Sequence, residues 1–312
     1  MNTFITTFNI VMPVFLIIAL GCGLRVIGIV DESGCKKMNK LAFDVLVPAL
    51  VFYNIYTTDP HQVLDLRILG FGAVSIAAIF LLLVLIIPRI EPDPAKRGVM
   101  IQGTFRSSFV VLGMGLAASM YPGQSLGITA MLSTVVAPMF NALSVIALEI
   151  YSDKKPDIRR IIRGIVTNPL ILASVLALLM LLTGIRLPAL VETVVDDVAA
   201  TATTLSLLVL GGSFRFEALR RSRRQLFICC LGKLVLLPLI FIPIAVALGF
   251  RQLELLSLLI LFGSPTTVTS HIMAYNAGAD DQLAGQIVVF STCFSVFSLF
   301  VFIYILLTLG LL

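Results

Sequence analysis

The chain has 312 residues, 59% of them hydrophobic and 12% charged, and its mean hydropathy is +1.06. Soluble domains carry about 25% charged residues, so a water-exposed fold of this size would lack the polar groups to cover its surface, and most of the chain is solvated by lipid. The formal charge of +5 would suit a nucleic-acid binder if the protein were soluble. Here the basic residues sit in short loops between apolar runs, the pattern that orients membrane proteins, and no nucleic-acid partner is expected.

A helix needs about 20 residues to cross the hydrocarbon core. Ten runs meet that need: 7–29, 38–57, 66–90, 97–120, 125–150, 163–184, 187–212, 225–249, 253–277 and 283–311. The first has no Lys or Arg ahead of it and is long enough to span, so it reads as a membrane helix and not a cleaved leader. Connections are short, as at Asp31-Glu32-Ser33-Gly34, Glu91-Pro92-Asp93-Pro94 and Tyr121-Pro122-Gly123-Gln124. Residues 1–312 therefore read as one all-α transmembrane domain. The cysteines (Cys22, Cys35, Cys229, Cys230, Cys293) form no C-x-x-C pair and read as small packing residues. No metal site and no cofactor are expected.

Lys and Arg fix the orientation. Four loops carry seventeen of them: Arg25, Lys36, Lys37 and Lys40; Arg89, Lys96 and Arg97; Lys154, Lys155, Arg159, Arg160 and Arg163; Arg215, Arg220, Arg221, Arg223 and Arg224. The opposite side has three, Arg67, Arg186 and Arg251. The positive-inside rule puts the rich loops in the cytoplasm and both termini outside, in a plasma (cytoplasmic) membrane. Five runs before the loop at 151–162 and five after it have opposite orientations, so related halves at about 7–150 and 163–311 would form an inverted repeat. Pro13 precedes Gly28-Ile29, and Pro169 precedes Gly184-Ile185, at the same spacing.

The fourth and ninth runs hold matching places in the two halves. The fourth reads Gly103-Thr104-Phe105-Arg106-Ser107-Ser108; the ninth reads Gly263-Ser264-Pro265-Thr266-Thr267-Val268-Thr269-Ser270-His271. Pro inside a helix removes a backbone hydrogen bond, which lipid tolerates only where protein or a wet cavity satisfies the freed groups. Both spans are therefore expected to break near the midplane, exposing N–H groups suited to an anion. Arg106, Ser107, Ser108, Pro265, Thr266, Thr267 and His271 are the candidate substrate-binding residues. Arg106 lies mid-span, where a charge costs about 2.5–3.5 kcal/mol, and its fork matches a carboxylate. A structural ion pair with an intramembrane acid is the competing reading.

Asp44, Asp197 and Lys233 are the candidates for proton coupling, with Asp44, four residues before Pro48, placed first; Asp196 stands beside Asp197. Their near balance of charge also fits internal pairing. Protons are favoured over sodium as the coupling ion. Asn141, Asn168 and Asn276 are further amides for a polar path, and His61 falls in an outer loop. No G-x-x-x-x-G-K-S/T loop occurs, so any driving force is a gradient or a partner. No G-x-G-D occurs either, which weakens an intramembrane aspartyl protease built on Asp44 with Asp196 or Asp197. A membrane sensor without transport is the other alternative.

Several stretches resemble the auxin efflux carrier family: Pro13, Gly21 and Gly28; Asn39-Lys40-Leu41 and Val47-Pro48-Ala49-Leu50; Arg106 with Gly113; Asn168-Pro169; and Ser264-Pro265 followed by Ala274-Tyr275. The resemblance covers nearly the whole chain. It implies ten helices in two inverted five-helix repeats, the fourth and ninth crossing where both unwind. It also implies a scaffold bundle and a moving bundle working as an elevator, often as a homodimer. Plant members export auxin, and bacterial members are mostly permeases for small carboxylates such as malate or malonate. The family's fourth helix often has a substrate-binding Asn at the crossing; here Ser108 stands in that place, while the Pro265 side matches.

Overall fold

A computed structural model describes residues 2–58, 66–109, 116–117, 120–121, 127–151, 162, 166–213 and 222–312. His61, Gly113, Pro122–Gln124 and the basic residues Lys154, Lys155, Arg159, Arg160, Arg163, Arg215, Arg220 and Arg221 lie outside the described residues. Among those described, all regular structure is helical. In chain order the helices are α1 (Asn2–Ile27), α2 (Glu32–Leu41), α3 (Val47–Tyr56), α4 (Leu66–Ile90), α5 (Pro94–Phe105), α6 (Gly127–Ile150), α7 (Pro169–Thr183), α8 (Ala189–Ser213), α9 (Arg223–Leu231), α10 (Leu237–Ala247), α11 (Gln252–Gly263), α12 (Thr269–Ala277) and α13 (Asp281–Thr308).

Among the described residues six helices are long and apolar enough to cross a membrane: α2–α3 read as one, α4, α6 from Ile128, α8, α9–α10 read as one, and α13. Leu16–Ile27, α7 and α11 are shorter apolar helices. The remaining difference from ten uninterrupted runs comes from the fourth and ninth, which the chain divides after Phe105 and after Gly263.

Two of the long helices carry a wide turn. Ala42–Leu46 and Gly232–Leu236 are π-helical, and each closes with an i→i+5 bond, Val47 N–H to Ala42 O and Leu237 N–H to Gly232 O. Pro48 and Pro238 follow at once. A proline has no N–H to donate and its ring crowds the carbonyl four residues back; the wider turn relieves that crowding without ending the helix.

Starts are set by side-chain caps. Asp93 and Asn168 each precede a proline and accept from the first turn of α5 and α7, and Asp280 Oδ1 accepts from Leu283 N–H at 2.9 Å at the head of α13. The three arginines of the basic-poor side also have a structural post: Arg186 Nη1 donates to Tyr56 O, Arg67 Nη2 to Leu248 O and Arg251 Nη1 to Val246 O. They cap the C-terminal ends of α3 and α10, where a cation is favoured by the helix dipole.

α1, α3, α7 and α8 pack on one another, and α4, α5, α6 and α9 to α13 form a second group around the largest buried core. Within the first group α1 and α8 touch backbone to backbone. A Cβ on Gly21 would stand 2.3 Å from Leu208 O, and one on Gly211 2.1 Å from Ile18 O, the small-residue packing that brings membrane helices close. Overpacking costs about 1–3 kcal/mol. Gly21→Ala and Gly211→Ala should each lower the melting temperature in detergent by about 2–10 °C. Gly23→Ala, on the same helix with nothing within 4 Å, should leave it unchanged.

Candidate substrate site at the crossing

α5 and α11 are both 12 residues long and end in the same way. Arg106 and Ser264 leave the helical region for extended backbone (φ −66, ψ 150 and φ −74, ψ 158), and each N–H still closes the last turn, to Gln102 O and Ile260 O. The two interrupted segments then pair with each other. Ser108 N–H donates to Pro265 O at 2.8 Å, Thr266 Oγ1 to Gly103 O at 2.5 Å and Thr266 N–H to Ser291 Oγ at 3.1 Å. The Ser107 and Ser264 hydroxyls are bonded to each other, and Ser107 also reaches Ile260 O at 3.3 Å. Backbone groups released by the breaks are thus taken up by the other break and by Ser291 of α13, as lipid requires.

Arg106 is 3% exposed. Its Nη1 donates to Met273 Sδ at 2.6 Å, and its Nη2 to Asn141 Oδ1 at 3.0 Å and Thr269 Oγ1 at 2.7 Å. Its Nε has no partner among the described residues. Every partner is neutral; no carboxylate of the described residues lies within 4.0 Å. The structural ion pair weighed from the sequence is absent there.

Beside the guanidinium is a cavity of about 90 Å³, walled by α3 (Val47, Leu50, Val51, Asn54, Ile55), the fourth run's break and its sequel (Arg106–Phe109), α6 (Ser133, Val136, Ala137, Phe140, Asn141), and Thr267 with Thr269 at the head of α12. At ~30 Å³ per liquid water, that is room for a small polyatomic anion. The lining is mostly apolar, with Arg106, Asn54, Asn141, Ser133, Thr267 and Thr269 as its polar points, the composition of a small-molecule site.

Of the residues singled out from the sequence, Arg106, Ser107, Ser108 and Thr267 meet at this cavity. Pro265 and Thr266 hold the crossing without lining it. His271 turns away: Thr269 and Met273, four apart, hold Arg106 on one face of α12, and His271, two positions from each, projects to the other. Asn168 and Asn276 line a different cavity of about 120 Å³ with Glu149 and Met273. Asp44 and Asp197 are exposed in the described chain and do not line this cavity. Asp196, also exposed, hydrogen-bonds Tyr53. Lys233 is fully buried in the second π turn, and its Nζ donates to Leu261 O at 3.3 Å. Asn54, Ser133 and Met273 were not foreseen; a lone amide in an apolar run was the signal for Asn54.

The match to known proteins agrees with this geometry. The family model for membrane transport proteins, the auxin efflux carrier group, matches residues 6–303. The chain belongs to that family. An uncharacterized transporter of Methanothermobacter thermautotrophicus is 22% identical over 294 residues, covering 93% of this chain and 95% of that protein. The chain is thus a multi-pass membrane transport protein.

An unpaired buried charge costs stability that a neutral side chain does not. Arg106→Gln should therefore leave the melting temperature of the ligand-free protein unchanged or raised. A fall of about 6 °C or more, the size of a 2–3 kcal/mol loss, would make Arg106 a structural residue.

Proposed function

We propose that the protein is a secondary transporter, a permease, for a small organic anion such as malate or malonate, held at the crossing by Arg106. One observation carries this reading: a buried guanidinium whose described partners are all neutral borders a small cavity. In a low-dielectric site such a charge favours an anion, and the fork suits a carboxylate. Asn54, Asn141, Ser108, Thr267 and Thr269 then supply donors around the remaining oxygens. α12 begins at Thr269, so its positive dipole end adds to the field.

Alternating access follows from two groups of helices with the cavity between them, α3 on one side and the crossing with α6 on the other. An elevator movement of the second group along the first would carry Arg106 and its anion together. The ten-span, inverted-repeat plan is part of the same proposal. Glu32–Tyr56 and Ala189–Ser213 are both 25 residues and begin 157 positions apart; Leu66–Ile90 and Arg223–Ala247 are likewise 25 residues and 157 apart. α5 and α11, 12 residues each, begin 158 apart. Equal lengths at equal spacing support one unit used twice, and five spans per unit invert the second. Both termini then face away from the cytoplasm, in the plasma membrane.

Counterflow of labelled carboxylates into proteoliposomes tests the reading. Malate or malonate should exchange saturably in the wild type. Arg106→Ala should reduce exchange about a hundredfold or more, because a lost charge-assisted hydrogen bond is worth ~3 kcal/mol. Saturable binding without exchange would favour a sensor, and undiminished exchange in Arg106→Ala would remove Arg106 from the site.

A further inference from the structure

The face of α12 turned away from Arg106 carries polar groups that the crossing does not use. His271 is 1% exposed, and its ring lies against α13 where Gly285 makes room for it; a Cβ there would sit 3.3 Å from His271 Cδ2. His271 Nε2 is 3.9 Å from Asp281 Oδ2. Asp281, partly exposed, lines a pocket of about 200 Å³ with Tyr275, Gln282, Arg25, Glu32 and Lys36.

His271 and its neighbouring segments carry buried polar atoms with no hydrogen-bond partner among the described residues: His271 Nδ1, Ser270 Oγ, Gln102 Oε1 and both amide atoms of Gln286. Their segments abut. Gln102 Nε2 donates to Ser270 O at 3.0 Å, and Gly103 lies against Ile287, next to Gln286. Buried groups of this kind are satisfied by protein or by internal water, and the segments that carry them make a seam from His271 through Ser270 and Gln102 to Gly103, whose carbonyl receives the Thr266 hydroxyl.

We propose that His271 and Asp281 form a proton-binding pair, reached from the pocket lined by Asp281, Tyr275 and Gln282, that links pH on that side of the membrane to the crossing. The imidazole takes up one proton, and the Asp281 carboxylate is its counter-charge; no other group need lose one.

Arg25, Glu32 and Lys36 share the pocket with Asp281; the other charges around α12 are placed elsewhere. On α13, Asp280 caps the helix, and burial raises its carboxyl above the usual range. On α6, Glu149 lines the separate cavity with Met273 and Asn276. On α5, Lys96 pairs with Asp93, and Arg106 is on the opposite face of α12. Asp44 in the first π turn is exposed, and the described residues of α8 at the pocket are Gly212 and Ser213. A charge arising at His271 therefore faces Asp281 first. It acts through the seam on the bonds that hold the two breaks together.

This inference rests on the transport reading only for its effect on flux, so two measurements separate them. The chain has two histidines, and His61→Gln leaves His271 as the sole imidazole for isotope-edited NMR. Its resonance should titrate, and Asp281→Asn should lower the midpoint by about one pH unit or more, the usual effect of losing a carboxylate within 4–6 Å. In proteoliposomes the wild-type exchange rate should vary with pH on one side, and His271→Gln should exchange with a flat profile. An unshifted midpoint in Asp281→Asn, or an unchanged pH profile in His271→Gln, would overturn the pair. A shifted midpoint in a protein that exchanges no carboxylate would leave the pair standing and remove the transport reading instead.

Discussion

The Ser108 N–H to Pro265 carbonyl hydrogen bond, with the Thr266 to Gly103 bond beside it, is what allows two helices to stop at mid-length inside a membrane protein. Lipid offers no partner to a freed N–H or carbonyl. Each break is therefore held by hydrogen bonds to the other. The serines and threonines at these breaks divide their work accordingly. Ser264 and Thr266 are committed to holding the crossing, Ser107 both holds it and borders the cavity, and Ser108 and Thr267 border the cavity.

Breaking the fourth run at Arg106 also decides where its charge goes. Had α5 continued, the side chain would have followed the helix surface. With extended backbone at Arg106 it reaches between α6 and α12 to Asn141, Thr269 and Met273. These partners orient the guanidinium without neutralising it. Coulomb attraction at 4 Å rises from ~1 kcal/mol in water to ~4 kcal/mol at an effective dielectric of 20, so an anion at this place gains several times what it would at the surface. Opposing that gain is the anion's own dehydration, which the hydroxyls and amides of the cavity offset in part. Membership in the membrane transport protein family is consistent with a site that holds its ligand firmly enough to select it and loosely enough to release it.

Much of this was legible in the sequence because lipid makes exceptions conspicuous. An arginine in an apolar run and a Gly-Ser-Pro-Thr-Thr string have few harmless explanations there, and both breaks fall where those residues stand. Other features were not legible. Asp44 lies inside an apolar stretch, and the packing alone puts it on the exposed side of its helix. His271 stands on the face of α12 away from Arg106, and a nine-residue helix beginning just after a break has no periodicity long enough to set its phase from sequence. The π turn at Gly232–Leu236 was equally hidden: Pro238 marks where a bond is missing, not how the helix absorbs the loss. Asn54 was passed over because it reaches the site only through the packing of α3 against the crossing.

Calorimetric titration of the purified protein with malonate and with malonamide, which share a skeleton and differ in charge, examines the Arg106 grip most directly. A single malonate site in the wild type, absent in Arg106→Gln and never filled by malonamide, is the predicted result. Equal binding of the charged and neutral compounds, or a malonate site that survives Arg106→Gln, would contradict it.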